Sequence, residues 1–576
     1  MIKEAILHIP DSSYAFALDE KTVILRLRTK KNDIDRCTLF YGNRVYPTSP
    51  VPMQQLPMRK VGADDLFDYY ECRLVSGFSR IFYGFLLEDK SSQLYYYGDE
   101  FHDSVLNDRT VFYQYAYVRR EDIPDVPEWA SSAVIYQIFP DSFASDRCSI
   151  RMESQTCKTA EGISCSCRCG GTLNGIEKNL DYLNELGINC IYLNPIFTAN
   201  SYHKYDTADY MSIDPCFGTA QDLKALVAAC HRRGIRVLLD GVFNHCGPDF
   251  FAFRDVLENG SRSAYTDWFY HLEFPLHCET PPNYAAFAYV PEMPKLNTGN
   301  PETADYFCKV GKYWIEQADI DGWRLDVANE INHDFWRQFR AAVRSVKSDA
   351  FLIGEIWEDS PQWLQGDQLD STMNYRFSNL CRDYFAKRSI SAEEFGQHLT
   401  AMLLRYKEPM TYAQMNLLDS HDIPRFLSKC GEDARRLKLA LFFMLTFVGV
   451  PSIFYGDEAG ISGTAEAEYR QAMPWQNYPE NGELYQYLKA LITLRKRHPS
   501  LTSGTFQPVP VKAEGVFAFR REAAEERLLV VLNNSDQWRQ VSLGEECTSL
   551  QPLFGQDGKT AQPFTFAPME GRIFKC

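Results

Sequence analysis

The chain has 576 residues, of which 45% are hydrophobic, 24% charged and 14% aromatic. That apolar share supplies cores for several domains and excludes a disordered chain. With 60 Lys and Arg against 76 Asp and Glu, the formal net charge is −16 and there is no basic tract, which excludes nucleic acid as the main partner.

The first ten residues, Met-Ile-Lys-Glu-Ala-Ile-Leu-His-Ile-Pro, carry no long apolar stretch behind their charges and do not read as a secretory signal. Residues 1–125 are β-rich, with strand-like runs Thr22–Arg28 and Arg80–Leu87 between polar turns. Asp122–Pro127, with two prolines, reads as a linker. From Trp129 short apolar strands alternate with amphipathic helices. Ser132–Phe139 reads as a strand; Ile176, Leu180 and Leu183 form one helical stripe, stopped by Gly187 and followed by the strand Ile188–Leu193. Leu223, Leu226, Val227 and Cys230 repeat the stripe, Gly234 closes it, and Ile235–Leu239 is the next strand. Phe335, Phe339 and Val343 precede Phe351–Ile353 in the same way. Such units predict an α/β fold with a parallel sheet, and eight of them a (β/α)8 TIM barrel.

The interval between Asp240 and Asp326 is too long for one unit, so a lobe inserted after the third strand is expected at about 246–300, ahead of a helix at 301–317. The most apolar run, Leu439–Val448, is about half a membrane span and reads as a buried helix leading into a buried strand, so no membrane partner is expected. From about 505 the helices stop, and runs such as Gly515–Arg520 and Arg527–Leu532 mark a C-terminal β-domain. The expected division is an N-terminal β-sandwich over 1–125, a barrel with its lobe over 126–505, and a second β-sandwich over 506–576. The 17 cysteines, an odd number in a large chain without a signal, favour mostly reduced thiols and a cytoplasmic location.

Reactive side chains of such barrels project from the C-terminal ends of strands. Asp240 stands at one such end, followed by Asn244 and His245. Asp326 stands at the next, with Arg324 two residues before it and therefore on the same face. Glu355 ends another strand in Gly354-Glu-Ile-Trp357, and His421 and Asp422 follow the apolar run Met415–Leu418. A single strand-end carboxylate is usually a helix cap or an ion-pair member. Four convergent ones, with a guanidinium and two imidazoles, are not explained as caps, because crowded like charges destabilise a fold unless function retains them. Glycoside cleavage needs such a set: an acid to protonate the leaving oxygen and a carboxylate on the opposite face of the anomeric carbon. A separation of roughly 5–5.5 Å gives a covalent intermediate and retention. Arg324 would keep the nucleophile ionised, and a neighbouring carboxylate would raise the acid.

In order and spacing, Asp240-Gly-Val-Phe-Asn-His245, Gly322-Trp-Arg-Leu-Asp326, Gly354-Glu355 and His421-Asp422 resemble the four short motifs of the alpha-amylase family. Tyr136–Pro140, His203–Asp206 and Gly456–Glu458 resemble its further landmarks, and the likeness covers about 129–500. The resemblance implies Asp326 as nucleophile, Glu355 as general acid/base and Asp422 as a third carboxylate that holds substrate hydroxyls and distorts the sugar ring. It makes Arg324 the partner that orients Asp326, His245 and His421 donors to the sugar on the non-reducing side of the scissile bond, and Tyr205 the ring that stacks on it. Asp240, Trp357 and Arg425 complete the implied substrate-binding set.

Met293-Pro-Lys-Leu-Asn297 and Val327-Ala-Asn-Glu330 resemble the cyclomaltodextrinase, maltogenic amylase and neopullulanase group. Ala15–Lys30, Leu39–Gly42 and Tyr95–Asp99 are similar to that group's starch-binding-like extra domain. In relatives this domain docks on a second subunit, so the likeness implies a homodimer that prefers short or cyclic glucans over starch. Glu330 reads either as an acceptor-side residue or as an ordinary exposed helix-start glutamate.

One loop departs from the family pattern. Cys148, Cys157, Cys165, Cys167 and Cys169 crowd the segment after the first barrel strand, where relatives carry a polar, often calcium-binding loop. Thiolates suit zinc and not calcium, and this spacing matches no standard zinc pattern, so the readings are reduced thiols or a structural metal ion. The chemistry itself needs no cofactor. Gly460–Tyr469 is shorter and less rich in Asp and Pro than in relatives, which leaves Arg470 without an assigned contact. The leading expectation is a retaining hydrolase of α-1,4 bonds in cyclodextrins, maltooligosaccharides or pullulan, working through a glycosyl-Asp intermediate that sugars can also intercept. The alternative is a catalytically silent glucan-binding or scaffold relative.

Overall fold

Eight parallel strands close into a barrel in the order Ile135–Ile138, Cys190–Leu193, Arg236–Gly241, Gly322–Leu325, Phe351–Gly354, Ser371–Asn374, Met415–Leu417 and Val450–Phe454. This computed structural model describes residues 1–106, 108–147, 155–158, 164–543, 550–555 and 563–576, with the backbone alone for 155–158 and 164–167. The strands are buried on both faces, which is why they read as continuous apolar runs. Ile135, Tyr192, Leu238, Phe351, Ile353, Met373 and Met415 pack into one core cluster, while Tyr136, Ile191, Val237, Trp323 and Leu352 join the surrounding helices in another. The expected barrel, its lobe and the two flanking β-domains are all present.

Local chemistry explains where elements start and stop. Gly187 ends its helix in the left-handed region (φ 99°), as a helix stop requires. Thr219 and Asp222 form a reciprocal capping box on the helix Ala220–His231. Asn300 caps the helix Pro301–Ala318, with proline at its first position. The single helix expected through Ile176, Leu180 and Leu183 is instead two, Leu173–Lys178 and Leu180–Leu186. The break is at Asn179, whose side-chain amide donates to Gly175 O at 2.8 Å and so competes with the helical ladder. The first barrel strand is also shorter than Ser132–Phe139, because Glu128–Ser132 forms a turn of 3-10 helix.

The N-terminal sandwich pairs a four-stranded sheet, containing Thr22–Lys30 and Phe67–Val75, with a six-stranded one centred on Arg36–Asn43 and Ile81–Glu88. Arg26 leaves this sandwich to donate to Leu404 O and Tyr406 O of the barrel, and Arg73 pairs with Glu408 at 2.7 Å. The C-terminal domain stacks a five-stranded sheet, with Val516–Ala523 and Glu526–Asn533 at its heart, on the pair Arg539–Val541 and Phe564–Phe566. The inserted lobe contains the helix Phe251–Asn259 and returns to the barrel through the bridge His245–Lys295. No helix among the described residues is long and apolar enough to cross a membrane.

At the end of the barrel opposite the strand-end carboxylates, Asp321 is fully buried. It accepts from His231 Nε2 at 2.7 Å, Arg236 Nη1 at 2.8 Å and Val237 N at 2.8 Å, and it pairs with Lys347 at 2.9 Å. Burial works against its charge, but His231, Lys347 and Arg236 outweigh it and hold the carboxyl down at about 2. A depressed carboxyl stabilises the fold above the ordinary carboxylate range, and this contribution fades as pH falls from about 4 through about 2. Asp321→Ala strands the Arg236 and Lys347 cations and removes the acceptor of His231, and is expected to cost about 3–5 kcal/mol at pH 7. Thermal melts should show the gap between wild type and variant narrowing below pH 4; a gap independent of pH would contradict this.

Candidate active site

Strands three, four and five provide the centre. Asp240 lies opposite Arg324 in the parallel register, and Asp326 and Glu355 follow the last residues of their strands. Arg324 is wholly buried; its Nη1 donates to Asp240 Oδ1 and to Asp326 Oδ1, both at 2.8 Å. Its Nη2 is 2.9 Å from Glu355 Oε2 but poorly aligned for a hydrogen bond. Two further donors fix the pair. Val327 N donates to Glu355 Oε2 at 3.1 Å and Trp357 Nε1 to Glu355 Oε1 at 3.3 Å. Among the described residues no hydrogen bond reaches Asp326 Oδ2, so one nucleophile-type oxygen is left open.

Val327 itself is strained. A β-branched residue rarely adopts φ 44°, ψ 46°, and here the conformation directs its N–H onto Glu355.

Around this centre the donors are neutral. Tyr192 and Tyr205 hydroxyls donate to Asp240 Oδ2 at 2.5 and 3.0 Å. Gln137 Nε2 donates to His421 Nδ1 at 2.8 Å, which places the imidazole proton on Nε2, facing Tyr205 Oη at 2.5 Å. The Tyr205 and His421 rings are parallel within 4° at 5.5 Å. His245 takes Asn244 Nδ2 at its Nδ1, stacks on Phe287, and has a buried Nε2 with no partner: a donor without an acceptor. Burial, with Lys295 nearby, holds His245 down at about 3, and burial with Arg470 and Arg324 holds His421 well below its ordinary value. Neither imidazole adds charge.

The carboxyls behave as one titrating set. Burial pushes Asp240, Asp326 and Asp422 upward, Arg324 pulls each of them down, and repulsion from Glu355 adds to the rise. With three carboxyls around one guanidinium and Asp422 alongside, burial and mutual repulsion favour protonation while Arg324 favours ionisation, an opposition that can separate an acid from a base.

The structure brings together Tyr205, Asp240, His245, Arg324, Asp326, Glu355, Trp357, His421 and Asp422. Trp357 stacks on Tyr375 at 3.8 Å and is half exposed, one face open to the cleft. Glu330 is exposed and pairs with Lys295 Nζ at 3.1 Å, and the same ammonium donates to Asn244 Oδ1, which links Glu330 to the site. Arg425 is not brought in. It is fully buried, donates to Asp457 Oδ1 at 3.0 Å and Tyr469 O at 3.1 Å, and lies 3.9 Å over the Phe454 ring, so the implied sugar contact is corrected.

Arg470, unassigned from the sequence, takes a place here instead. Its Nε donates to His421 O at 2.7 Å and its Nη2 is 3.5 Å from Asp422 Oδ1. Lys295, Tyr192 and Tyr375 are also missed by sequence reasoning. Lys295 was visible inside Met293–Asn297, but only as a subgroup marker.

Of the cysteine-rich loop, Cys148 lies outside the described residues, as do the side chains of Cys157, Cys165 and Cys167. Cys169 is buried against Ser142, and the loop base is closed by Asp141, whose carboxylate accepts from the backbone N–H of Arg168, Cys169 and Gly170. Cys216, on a later loop, is disulfide-bonded, while Cys37, Cys72, Cys190, Cys230 and Cys246 are free, in keeping with the expectation of mostly reduced thiols.

A parallel barrel with convergent strand-end carboxyls and neutral donors is an arrangement suited to glycoside cleavage. The alpha amylase catalytic-domain family matches residues 137–477, and the alpha amylase N-terminal ig-like domain matches 1–119. The chain is 44% identical to a cyclomaltodextrinase of Geobacillus thermopakistaniensis, over 94% of this chain and 93% of that one. It is 42% identical to neopullulanase 2 of Thermoactinomyces vulgaris, over 100% and 99%. A solved cyclomaltodextrinase structure superposes with a TM-score of 0.89 at 38% identity, covering 96% of this chain and 95% of that one. The chain belongs to the alpha-amylase family and is a glycoside hydrolase, which sets aside the catalytically silent alternative.

Asp422 is pushed up to about 7, chiefly by burial and then by Glu355. A raised carboxyl costs stability as pH climbs from about 4 to about 7, where the folded state must release a proton it prefers to keep. Asp422→Asn is therefore expected to raise the melting temperature more at pH 8 than at pH 5. Equal shifts at both would contradict the assigned rise.

Proposed function

We propose that the enzyme cleaves α-1,4-glucosidic bonds with retention, through a covalent glycosyl intermediate on Asp326. The observation that carries this reading is the sharing of Arg324: Asp326 and Glu355 sit at the two terminal nitrogens of a single guanidinium. That arrangement supports the close spacing, roughly 5–5.5 Å, on which retention depends. In the first step Asp326 Oδ2 attacks the anomeric carbon as Glu355 gives its proton to the departing glycosidic oxygen. In the second, the Glu355 carboxylate takes a proton from water, whose oxygen displaces Asp326 from the same carbon and regenerates both groups. Arg324 keeps Asp326 ionised for attack. Asp422 binds ring hydroxyls and favours a distorted ring, while His245 Nε2–H and the His421 and Tyr205 pair contact the sugar on the non-reducing side. Asp240 orients Arg324 and Tyr205, and Trp357 offers a face to the acceptor sugar. Side chains carry every step, so no cofactor has a role in the chemistry.

The substrates we assign are cyclodextrins, maltooligosaccharides and pullulan, as the names of the relatives suggest for those proteins. A sugar hydroxyl can replace water in the second step, with Glu330, held by Lys295, on the acceptor side. We further assign a cytoplasmic homodimer docked through the N-terminal sandwich. An intracellular maltogenic amylase of Bacillus subtilis, 37% identical over 98% of this chain, supports the compartment. We read the cysteine-rich loop as reduced thiols in preference to a structural metal site, and elemental analysis of purified protein without bound metal would end the metal reading.

Asp326→Asn should lower turnover of β-cyclodextrin by at least about 10⁴-fold, the scale on which nucleophile loss acts, while glucan binding survives. Appreciable retained activity would refute the assignment. Incubation with β-cyclodextrin, pullulan and soluble starch ranks the substrates. Added glucose or maltose should divert product into longer transfer oligosaccharides; strict hydrolysis under saturating acceptor would remove the transfer branch.

A further inference from the structure

The loop that carries His421 and Asp422 and the loop after the eighth strand, which carries Arg470, are tied together by two arginines that cross in opposite directions. Arg470 reaches back to His421 O at 2.7 Å and stands 3.5 Å from Asp422. Arg425, three residues after Asp422, reaches forward. Its backbone N–H donates to Gly463 O at 3.0 Å, its Nε to Tyr469 O at 3.1 Å and its Nη1 to Asp457 Oδ1 at 3.0 Å. Its guanidinium is 3.9 Å from the centre of the Phe454 ring and has no exposed surface, while Asp457 is 3% exposed.

The first loop is also closed on itself. Phe426 N donates to Asp419 Oδ2 at 2.6 Å, Asp422 N to Ser420 Oγ at 3.2 Å, and Ser420 bridges Ile423. Asp419 also stands beside Asp457, and burial together with this neighbouring carboxyl pushes Asp457 upward. Gly463 N donates to Ser428 Oγ at 2.9 Å and adds a third tie.

We infer that the buried Arg425–Asp457 pair is a positioning device for Asp422 and Arg470, setting the distance between the third carboxylate and the sugar without touching substrate itself. This rests on the reading of Asp422 as a group that acts on the sugar ring. A buried ion pair contributes little net stability against a well-packed apolar replacement, whereas removal of one partner leaves a costly stranded charge. Its value here is geometric. Asp240, Asp326 and Glu355 are placed by strand register, but Asp422 sits on a loop, and a loop has no ladder to hold it. A displacement of about 1 Å at such a group is enough for a loss on the order of 100-fold in rate.

The test is a mutant cycle on the full-length enzyme. Arg425→Met and Asp457→Asn should each lower kcat on maltotriose by about 10- to 100-fold, with KM within about threefold of wild type. Arg425→Lys, which keeps the charge but loses the two-pronged reach to Tyr469 and Asp457, should fall between. In an Asp422→Asn background, where the positioned group is already disabled, Arg425→Lys should produce almost no further loss. A multiplicative loss in that background overturns the inference, because it means Arg425 acts through something other than Asp422. A kcat deficit that vanishes at temperatures where every variant is fully folded by circular dichroism overturns it too, as a mere stability effect. If Arg425→Met does not fold, Arg425→Lys and Asp457→Asn carry the same cycle. Failure of the underlying reading is separately visible: Asp422→Asn alone would then retain wild-type kcat.

Discussion

Arg324 has no exposed surface, yet three carboxyls converge on it within 2.9 Å. A lone carboxylate buried this deeply would neutralise and not stay charged, and a lone buried guanidinium would be strongly destabilising. Each half of the set therefore requires the other. The barrel meets that requirement with sheet register: strands three and four place Asp240 beside Arg324, Asp326 follows two residues on, and Glu355 extends the fifth strand. Three adjacent strands thus supply four ionisable groups with no loop intervening. With three acids to one base, burial and repulsion favour protonation while Arg324 favours ionisation, and that opposition is a source of the asymmetry between acid and carboxylate that glycoside cleavage demands.

The surrounding residues protect that asymmetry by adding hydrogen bonds without adding charge. Tyr192 and Tyr205 donate to Asp240, Asn194 Nδ2 donates to both tyrosine hydroxyls, and Gln137 sets the proton of His421 on the ring nitrogen that faces the cleft. Burial keeps His245 and His421 neutral. A protonated imidazole at either place would compete with Arg324 for the carboxyls and lower the basicity of their oxygens. A neutral one offers a directed N–H to a hydroxyl and leaves the field of the centre unchanged. The −16 of the whole chain has no bearing on this balance, which is set within a few ångströms.

Much of this was legible in the sequence because the barrel translates position into placement. A polar residue at the end of an apolar strand points into the mouth whatever follows it, so Asp240, Arg324, Asp326 and Glu355 could be found from spacing, whereas Asp422, on a loop, stood out only through its pairing with His421. Loop residues have no such rule. Arg425 lies three residues beyond Asp422 and carries the right chemistry for a sugar contact, yet its side chain turns inward to Asp457, a partner 32 positions away. Lys295 reaches Asn244 and Glu330 only because the inserted lobe folds back on the barrel, an event of tertiary packing that no local pattern encodes. The broken helix at Asn179 was hidden for the opposite reason. The apolar stripe is real, but one side-chain amide competing for a backbone carbonyl overrides it.

Placement by strand and placement by loop have different consequences for how the site can vary. Asp326 and Glu355 cannot shift without breaking ladder bonds shared by neighbouring strands, so their geometry is common to any chain that closes this barrel. Asp422 is held by Arg470, by the closed turn from Asp419 to Phe426, and by the residues from Asp457 to Tyr469 that brace Arg425. Phe287 and Lys295, which address His245 and Glu330, come from the inserted lobe. On the proposed mechanism, substitutions in these segments alter how a sugar is gripped while Asp326 and Glu355 stay where the sheet puts them. That proposal places specificity in the lobe and the two arginine-tied loops, and the chemistry in the strands.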